Sequence, residues 1–307
     1  MGKVLVTGGA GFIGSHLCDT LLRAGRRVRV LDDLSSGHRA NLAAEVELIE
    51  GDIADPDAVA RALEGVDACC HLAAIASVER GVRDWRGTHR VNLTGTVVLM
   101  DAIRRRPIPL VYASSAAVYG DCQDLPLAET APVRPLSAYG ADKLGCELHA
   151  AVAAHVHGIP TTGLRFFNVY GPRQDPRSPY SGVISIFCDR LVRAAPVTVF
   201  GDGGQTRDFV YVADVVHALS RALERRTPGA EVFNICTGRP TSVLDLARVI
   251  AELAGTEPDI RFEAPRAGEV RHSLGAPDRA RAALSLPAPA ALRDGLAETL
   301  AWLGQAR

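Results

Sequence analysis

Gly8-Gly9-Ala10-Gly11-Phe12-Ile13-Gly14 joins an apolar run at 4–7 to a stretch at 12–22 whose apolar residues recur at helical spacing. A second apolar run at 28–31 ends in Asp32, which completes a β-α-β unit. The three spaced glycines have distinct physical tasks. One permits a tight turn, one lets backbone approach a ligand with no Cβ in the way, and one lets the helix pack close to the strand. A pyrophosphate held there rests on amides at the helix N-terminus, so Gly8, Gly11, Phe12, Ile13 and Gly14 form the expected dinucleotide seat. Asp32, at the end of the second strand, can accept from both adenosine ribose hydroxyls. The same carboxylate repels a 2′-phosphate, so the expected cofactor is NAD rather than NADP.

Outward from this unit the alternation continues, with strands at 46–49, 68–72, 110–113 and 161–166 and helices at 56–63, 91–105 and 138–157. Repeated alternation of this kind predicts an α/β fold, a Rossmann-type doubly wound parallel sheet covered by helices on both faces. After Asn168 the texture changes to Gly171-Pro172-Arg173-Gln174-Asp175-Pro176-Arg177-Ser178-Pro179, rich in turn formers. A smaller C-terminal substrate-binding domain is expected from there. Residues 1–167 are assigned to the NAD-binding domain, with 206–237 returning to it, and 168–205 and 238–307 to the cap.

The chain has 307 residues, 47% of them hydrophobic, which suffices for a sizeable core and excludes disorder. Thirty-four basic against 35 acidic side chains leave a net charge of -1, so no basic field exists to hold a nucleic acid or an anionic membrane. Seven cysteines without CxxC spacing read as reduced thiols and give neither a disulfide framework nor a metal site. Met1-Gly2-Lys3 runs directly into the first strand, leaving no room for a signal peptide ahead of it, and no apolar run reaches the about 20 residues that span a bilayer. A cytoplasmic location is expected.

Val111-Tyr112-Ala113-Ser114-Ser115 ends the fifth strand with hydroxyls at its C-terminal edge, where open α/β sheets bind ligands. The next helix carries Tyr139-Gly140-Ala141-Asp142-Lys143, whose i, i+4 spacing puts Tyr139 and Lys143 on one face. A phenol of pKa about 10 is a poor base at neutral pH, and bringing it near 7 needs roughly 4 kcal/mol of preferential stabilisation of the phenolate. A neighbouring ammonium and a cationic nicotinamide supply it. Asp52, in Glu50-Gly51-Asp52-Ile53, is a candidate for adenine contact or, equally, a turn or helix-cap aspartate.

Together the Gly8–Gly14 turn, Ser115, Tyr139 and Lys143 resemble the extended short-chain dehydrogenase/reductase superfamily, specifically its UDP-glucose and UDP-N-acetylglucosamine 4-epimerases. The resemblance runs from residue 4 to about 275. It implies Tyr139 as catalytic base, Lys143 as its electrostatic partner and ribose ligand, and Ser115 as hydrogen-bond donor to the sugar 4-oxygen. It implies cofactor contacts at Asp32, Asp52, Ile53, Asn92 and Phe166, and a homodimer built on the helices near 91–105 and 138–157. In the substrate region it implies Asn168 on the diphosphate and Val183, Thr198 and Phe200 around uracil. Arg207 and Arg266 can clamp diphosphate oxygens with forked donors, while Glu269 can accept from a ribose hydroxyl. Ser273 falls where the family borders the hexose 2-substituent, and a small side chain leaves space for an N-acetyl group. Relatives that eliminate water place Asp-Glu directly after the strand-end hydroxyl, and decarboxylating ones a glutamate. This chain has Ala116-Ala117. The reading is therefore a nucleotide-sugar 4-epimerase acting through a transient 4-keto sugar, with a 4,6-dehydratase and a non-catalytic NAD-sensing regulator as alternatives.

Overall fold

The computed structural model describes residues 2–176, 182–225, 227–265 and 270–305. The first half follows the alternation: β1 (Lys3–Thr7), α1 (Phe12–Arg23), β2 (Arg27–Asp32), β3 (Glu47–Glu50), α2 (Pro56–Leu63), β4 (Ala68–His71), the short helices α3 (Val78–Arg83) and α4 (Trp85–His89), α5 (Gly95–Ile103), β5 (Leu110–Ser115), α6 (Ala138–His157) and β6 (Thr161–Phe166). The second half contributes β7 (Asn168–Tyr170), α7 (Val183–Val192), β8 (Val197–Phe200), β9 (Thr206–Tyr211), α8 (Val212–Glu224), β10 (Ala230–Ile235), β11 (Pro240–Ser242), α9 (Val243–Ala254), β12 (Ile260–Glu263), α10 (Asp278–Leu284) and α11 (Leu292–Gln305).

Seven parallel strands form the main sheet in the order β10-β6-β5-β4-β1-β2-β3. The order reverses between β1 and β4, and the crevice at the C-terminal ends of those two strands is where such sheets take ligands. One face packs against α2, α5 and α6 around Leu5, Leu31, Leu99 and Leu110; the other packs against α1 and α8 around Val4, Val6, Leu17 and Leu219. The strands read as apolar runs rather than alternating ones because both faces are covered.

Residues 206–237 divide between layers. Strand β9 lies in a small sheet, β11-β9-β7, while α8 packs on α1 and β10 becomes an edge of the main sheet. Strands β8 and β12 make a separate parallel pair, and α7, α9 and α11 pack on one another beside it. The helical stretch expected at 91–105 is interrupted. Residues Arg90–Thr94 form a π-turn before α5, with Asn92 buried in it. Its side chain bonds outside the helix, which accounts for the irregular turn. Among the described residues no helix is long and apolar enough to cross a membrane.

Candidate active site

The glycine turn has the shape that a bound diphosphate requires. Gly8 has φ +70°, and a Cβ there would lie 2.6 Å from the Ala73 nitrogen. A Cβ on Gly14 would meet the Gly8 carbonyl oxygen at 2.2 Å, so any side chain would force turn and helix apart. Gly11 caps α1 without a side-chain acceptor, and no acidic residue occupies the first helical turn. The leading amides of α1, including those of Phe12 and Ile13, are thus left for an anion. Asp32 closes the turn from β2: one carboxylate oxygen accepts from the Ala10 amide and the other from the Leu34 amide, both at 2.9 Å. Burial pushes its carboxyl above the ordinary range despite those two bonds. A carboxylate has about four acceptor directions, so two remain for the hydroxyls of a ribose. These residues fit a dinucleotide.

At the far end of the crevice, β5 and β6 run in register so that Ser115 pairs with Phe166. The Ser115 hydroxyl accepts from the Ala117 amide at 3.2 Å, starting a short 3-10 turn over Ala116–Tyr119. Helix α6 begins hard against that turn. Its N-cap Ser137 accepts from the Gly140 amide at 3.1 Å, and a Cβ on Gly140 would sit 2.7 Å from the Ala117 oxygen. Tyr139 is thereby held, half-buried, beside the strand end carrying Ser115. Lys143 lies one turn on, only 4% exposed, with its ammonium 5.8 Å from the Tyr139 ring centroid and donating to the Ala113 carbonyl at 2.9 Å. Among the described residues the Ala113 carbonyl is the acceptor of this ammonium, which has two further protons to donate and lies close to the phenol ring.

The remaining expected cofactor contacts are dispersed. Asp52 accepts from the Ala54 amide at 2.8 Å and pairs with Arg90 at 2.6 Å, so the turn aspartate also anchors the π-turn. Ile53 is buried against Gly95. Asn92 is 1% exposed, and its carboxamide is used on the backbone of Ile75, accepting from the nitrogen at 2.7 Å and donating to the oxygen at 3.1 Å. It shapes the loop after β4.

The described members of the expected substrate set lie on four other elements, β7, α7, β8 and β9, and on the later segment that carries Ser273. Asn168 is exposed on β7, and Arg207, on β9 of the same small sheet, donates to the Thr206 and Arg271 carbonyls at 2.9 and 3.3 Å. Ser273 runs alongside, its amide donating to the Thr206 oxygen at 3.1 Å. Thr198 and Phe200 are half-buried on β8, and Val183 opens α7. Arg266 and Glu269 lie outside the described residues.

Several buried polar groups around this site left no motif. Glu147 forms a bidentate pair with Arg165 at 2.8 and 2.7 Å and accepts from Ser114 at 2.5 Å. Arg165 also donates to the Tyr119 hydroxyl at 2.7 Å, and Tyr119 donates to Asn234 at 2.7 Å. The pair binds α6 to β5, β6 and β10 immediately behind Ser115. Asp208, wholly buried on β9, accepts from the amides of Thr237, Gly238 and Gly275 and from the Thr237 hydroxyl. It ties the small sheet to the end of β10. The available signal was a charged residue inside an otherwise apolar strand or helix face, as at Arg165 in Leu164-Arg165-Phe166.

Comparison with known proteins gives consistent results. Residues 4–236 match the family model described as the NAD dependent epimerase/dehydratase family. A UDP-glucose 4-epimerase of Mycolicibacterium smegmatis is 39% identical over 306 residues, covering 97% of each chain. The crystal structure of a Thermotoga maritima UDP-glucose 4-epimerase with UDP-glucose superposes with a TM-score of 0.95 at 37% identity over 99% of each chain. A UDP-N-acetylglucosamine 4-epimerase from Methanobrevibacter ruminantium M1, in complex with UDP-N-acetylmuramic acid, gives 0.95 at 32% identity, covering 100% of this chain and 99% of that one.

Proposed function

This chain belongs to the NAD-dependent epimerase/dehydratase family, with NAD as its cofactor, and from that membership we propose that it is a nucleotide-sugar 4-epimerase inverting C4 of a UDP-hexose. The observation that carries the choice of reaction is the Ala116–Ala117 pair directly after Ser115, facing a helix that brings Tyr139 and Lys143. A proton carrier for the 4-hydroxyl is present, and the strand end has no carboxyl group for the C5 proton that dehydration must remove. The neighbouring carboxylates Glu147 and Glu129 are committed to Arg165 and to the Asn234 amide.

When bound, NAD would supply hydride-accepting and hydride-donating chemistry at C4 of the sugar. The chain's own groups handle the proton and the orientation. Tyr139, as phenolate, accepts the proton of the 4-hydroxyl and later returns it to the 4-oxygen. Lys143 lowers the cost of that phenolate, and Ser115 donates a hydrogen bond to the same oxygen. Gly8, Gly11, Phe12, Ile13 and Gly14 seat the diphosphate of the cofactor, Asp32 its adenosine ribose, with Asp52, Ile53, Asn92 and Phe166 lining the rest. Asn168, Arg207 and Arg266 hold the sugar diphosphate, Glu269 the ribose, and Val183, Thr198 and Phe200 the base, so that the pyranose itself is free to turn over between the two hydride transfers. The small side chain of Ser273 leaves room beside C2, and UDP-GlcNAc and UDP-GalNAc are accepted alongside UDP-glucose and UDP-galactose.

The acting form is a cytoplasmic homodimer. Leu148, Val152 and Val156 recur every four residues along α6 and are 63%, 54% and 61% exposed, an apolar stripe continued on α5 by Val97. Two copies joined there bury it in a four-helix contact. Val152→Asp should convert a dimer to a monomer in sedimentation analysis; a wild-type monomer would refute the assembly. The reaction is tested by incubating the protein with UDP-GlcNAc and UDP-glucose separately and assigning products by proton NMR. The C4 epimer is expected in each case, and a 4-keto-6-deoxy sugar would overturn the proposal.

A further inference from the structure

A continuous chain of buried hydrogen bonds crosses the sheet where its strand order reverses. Thr7 ends β1 and His71 ends β4, the two residues are in register, and the Thr7 hydroxyl lies 2.7 Å from Nδ1 of His71. Nε2 of the same ring lies 2.9 Å from the Thr96 hydroxyl on α5. Thr96 in turn donates to the Asn92 carbonyl at 2.6 Å, and the Asn92 carboxamide clamps Ile75. Thr7, His71, Thr96 and Asn92 are all 4% exposed or less.

The proton order in this chain has one consistent solution. Because the Thr96 hydroxyl proton is used on Asn92, its oxygen can only accept from His71, so Nε2 must carry the hydrogen. Nδ1 is then an acceptor and takes the Thr7 hydroxyl proton, leaving the Thr7 oxygen to accept from the Ala73 amide, which it does at 3.2 Å. Every donor has an acceptor and every link points the same way. A second proton on the ring would break the Thr7 link and add a buried cation near Lys143, and burial together with that ammonium holds the imidazole neutral.

The segments joined are those that border the cofactor crevice. Thr7 precedes Gly8, and the Gly8 turn abuts Ala73 closely enough that an added Cβ would clash. The loop at 72–77 ends in Ser77, which caps α3 by accepting from the Arg80 amide at 3.0 Å. Gly81 of α3 lies against Ala138 and the Tyr139 nitrogen. We propose that His71 is a positioning residue for NAD, holding the Gly8 turn and the 72–77 loop in one fixed relation through Thr7, Thr96 and Asn92. It touches neither cofactor nor sugar and acts through backbone placed by its neighbours. The proposal rests on reading the Gly8–Gly14 turn as the cofactor seat.

The test uses Thr96→Val, which removes the central hydroxyl with little change in volume, and Thr96→Ser, which restores it. In the NAD-loaded enzyme, Thr96→Val should release NAD roughly tenfold faster, the factor that a lost buried hydrogen bond is worth. It should also speed amide exchange in the peptide spanning 72–77 while α9 and α11 keep wild-type protection. KM for the nucleotide sugar should stay unchanged, and Thr96→Ser should recover both NAD retention and protection. Wild-type NAD release by Thr96→Val, or faster exchange spread evenly over the whole chain, would overturn the positioning role. Gly14→Ala serves as the separate control: wild-type NAD retention in that variant would overturn the seat itself.

Discussion

Replacing His71 with glutamine should flatten the acid dependence of stability by an amount the structure sets. Burial, reinforced by the nearby Lys143 charge, pushes the imidazole down to about 3 from an ordinary 6.5. The unfolded chain therefore binds a proton between these limits that the folded chain refuses, so stability is fully present above the unfolded value and is lost as pH falls toward the folded one. Over the whole window the difference corresponds to about 5 kcal/mol, and between pH 7.5 and 4.5 to about 3 kcal/mol. Glutamine takes up no proton, while the carboxylates that titrate in the same range are common to both proteins. The assay is urea unfolding of wild type and His71→Gln at several pH values under saturating NAD, with the difference between the two proteins plotted against pH. The wild type should lose about 3 kcal/mol more than the variant over that interval. A difference that stays constant within about 0.5 kcal/mol, the scale of extrapolation error, would refute a buried neutral imidazole.

Three further outcomes follow from the same geometry. Gly14→Ala should abolish NAD retention as read by absorbance of the purified protein, because its Cβ would fall 2.2 Å from the Gly8 carbonyl oxygen. NAD affinity should weaken as pH drops, since burial raises the Asp32 carboxyl in the free protein whereas ribose hydroxyl donors favour its ionised form; calorimetric titrations at pH 7 and pH 5 measure this, and Asp32→Asn should show no such trend. Glu147→Ala should cost about 3–5 kcal/mol in chemical denaturation, because it strands the guanidinium of Arg165 in a site that excludes water.

The fold was legible where the chain repeats one unit. Alternating apolar runs and amphipathic stretches located all six of the first strands and the long helices, and the Gly8–Gly14 turn identified the strand whose end opens the crevice. The π-turn at Arg90–Thr94 was not legible, because apolar spacing reports which face is buried and Asn92 departs from the helix to bond Ile75. The juxtaposition of Tyr139 and Lys143 was legible because i, i+4 spacing puts both on one face of α6, and the position of Ser115 because it closes an apolar run that forms β5. His71, Thr7 and Thr96 come together from separate elements, and their relation is set by strand register rather than by any local pattern. The same limit applies to Asp208, whose partners lie 29 to 67 residues away, and to the Arg165–Glu147 pair, 18 residues apart.

At the centre of the account is proton transfer at the sugar 4-oxygen by the hydroxyl of residue 139. Its most direct measurement is turnover by Tyr139→Phe with a UDP-hexose, alongside NAD content and nucleotide affinity in the same preparation. The ring and its packing persist in that variant while the transferable proton is gone, so kcat should fall by about 10²–10⁴-fold with both binding measures unchanged. Turnover within a few-fold of wild type would contradict the account.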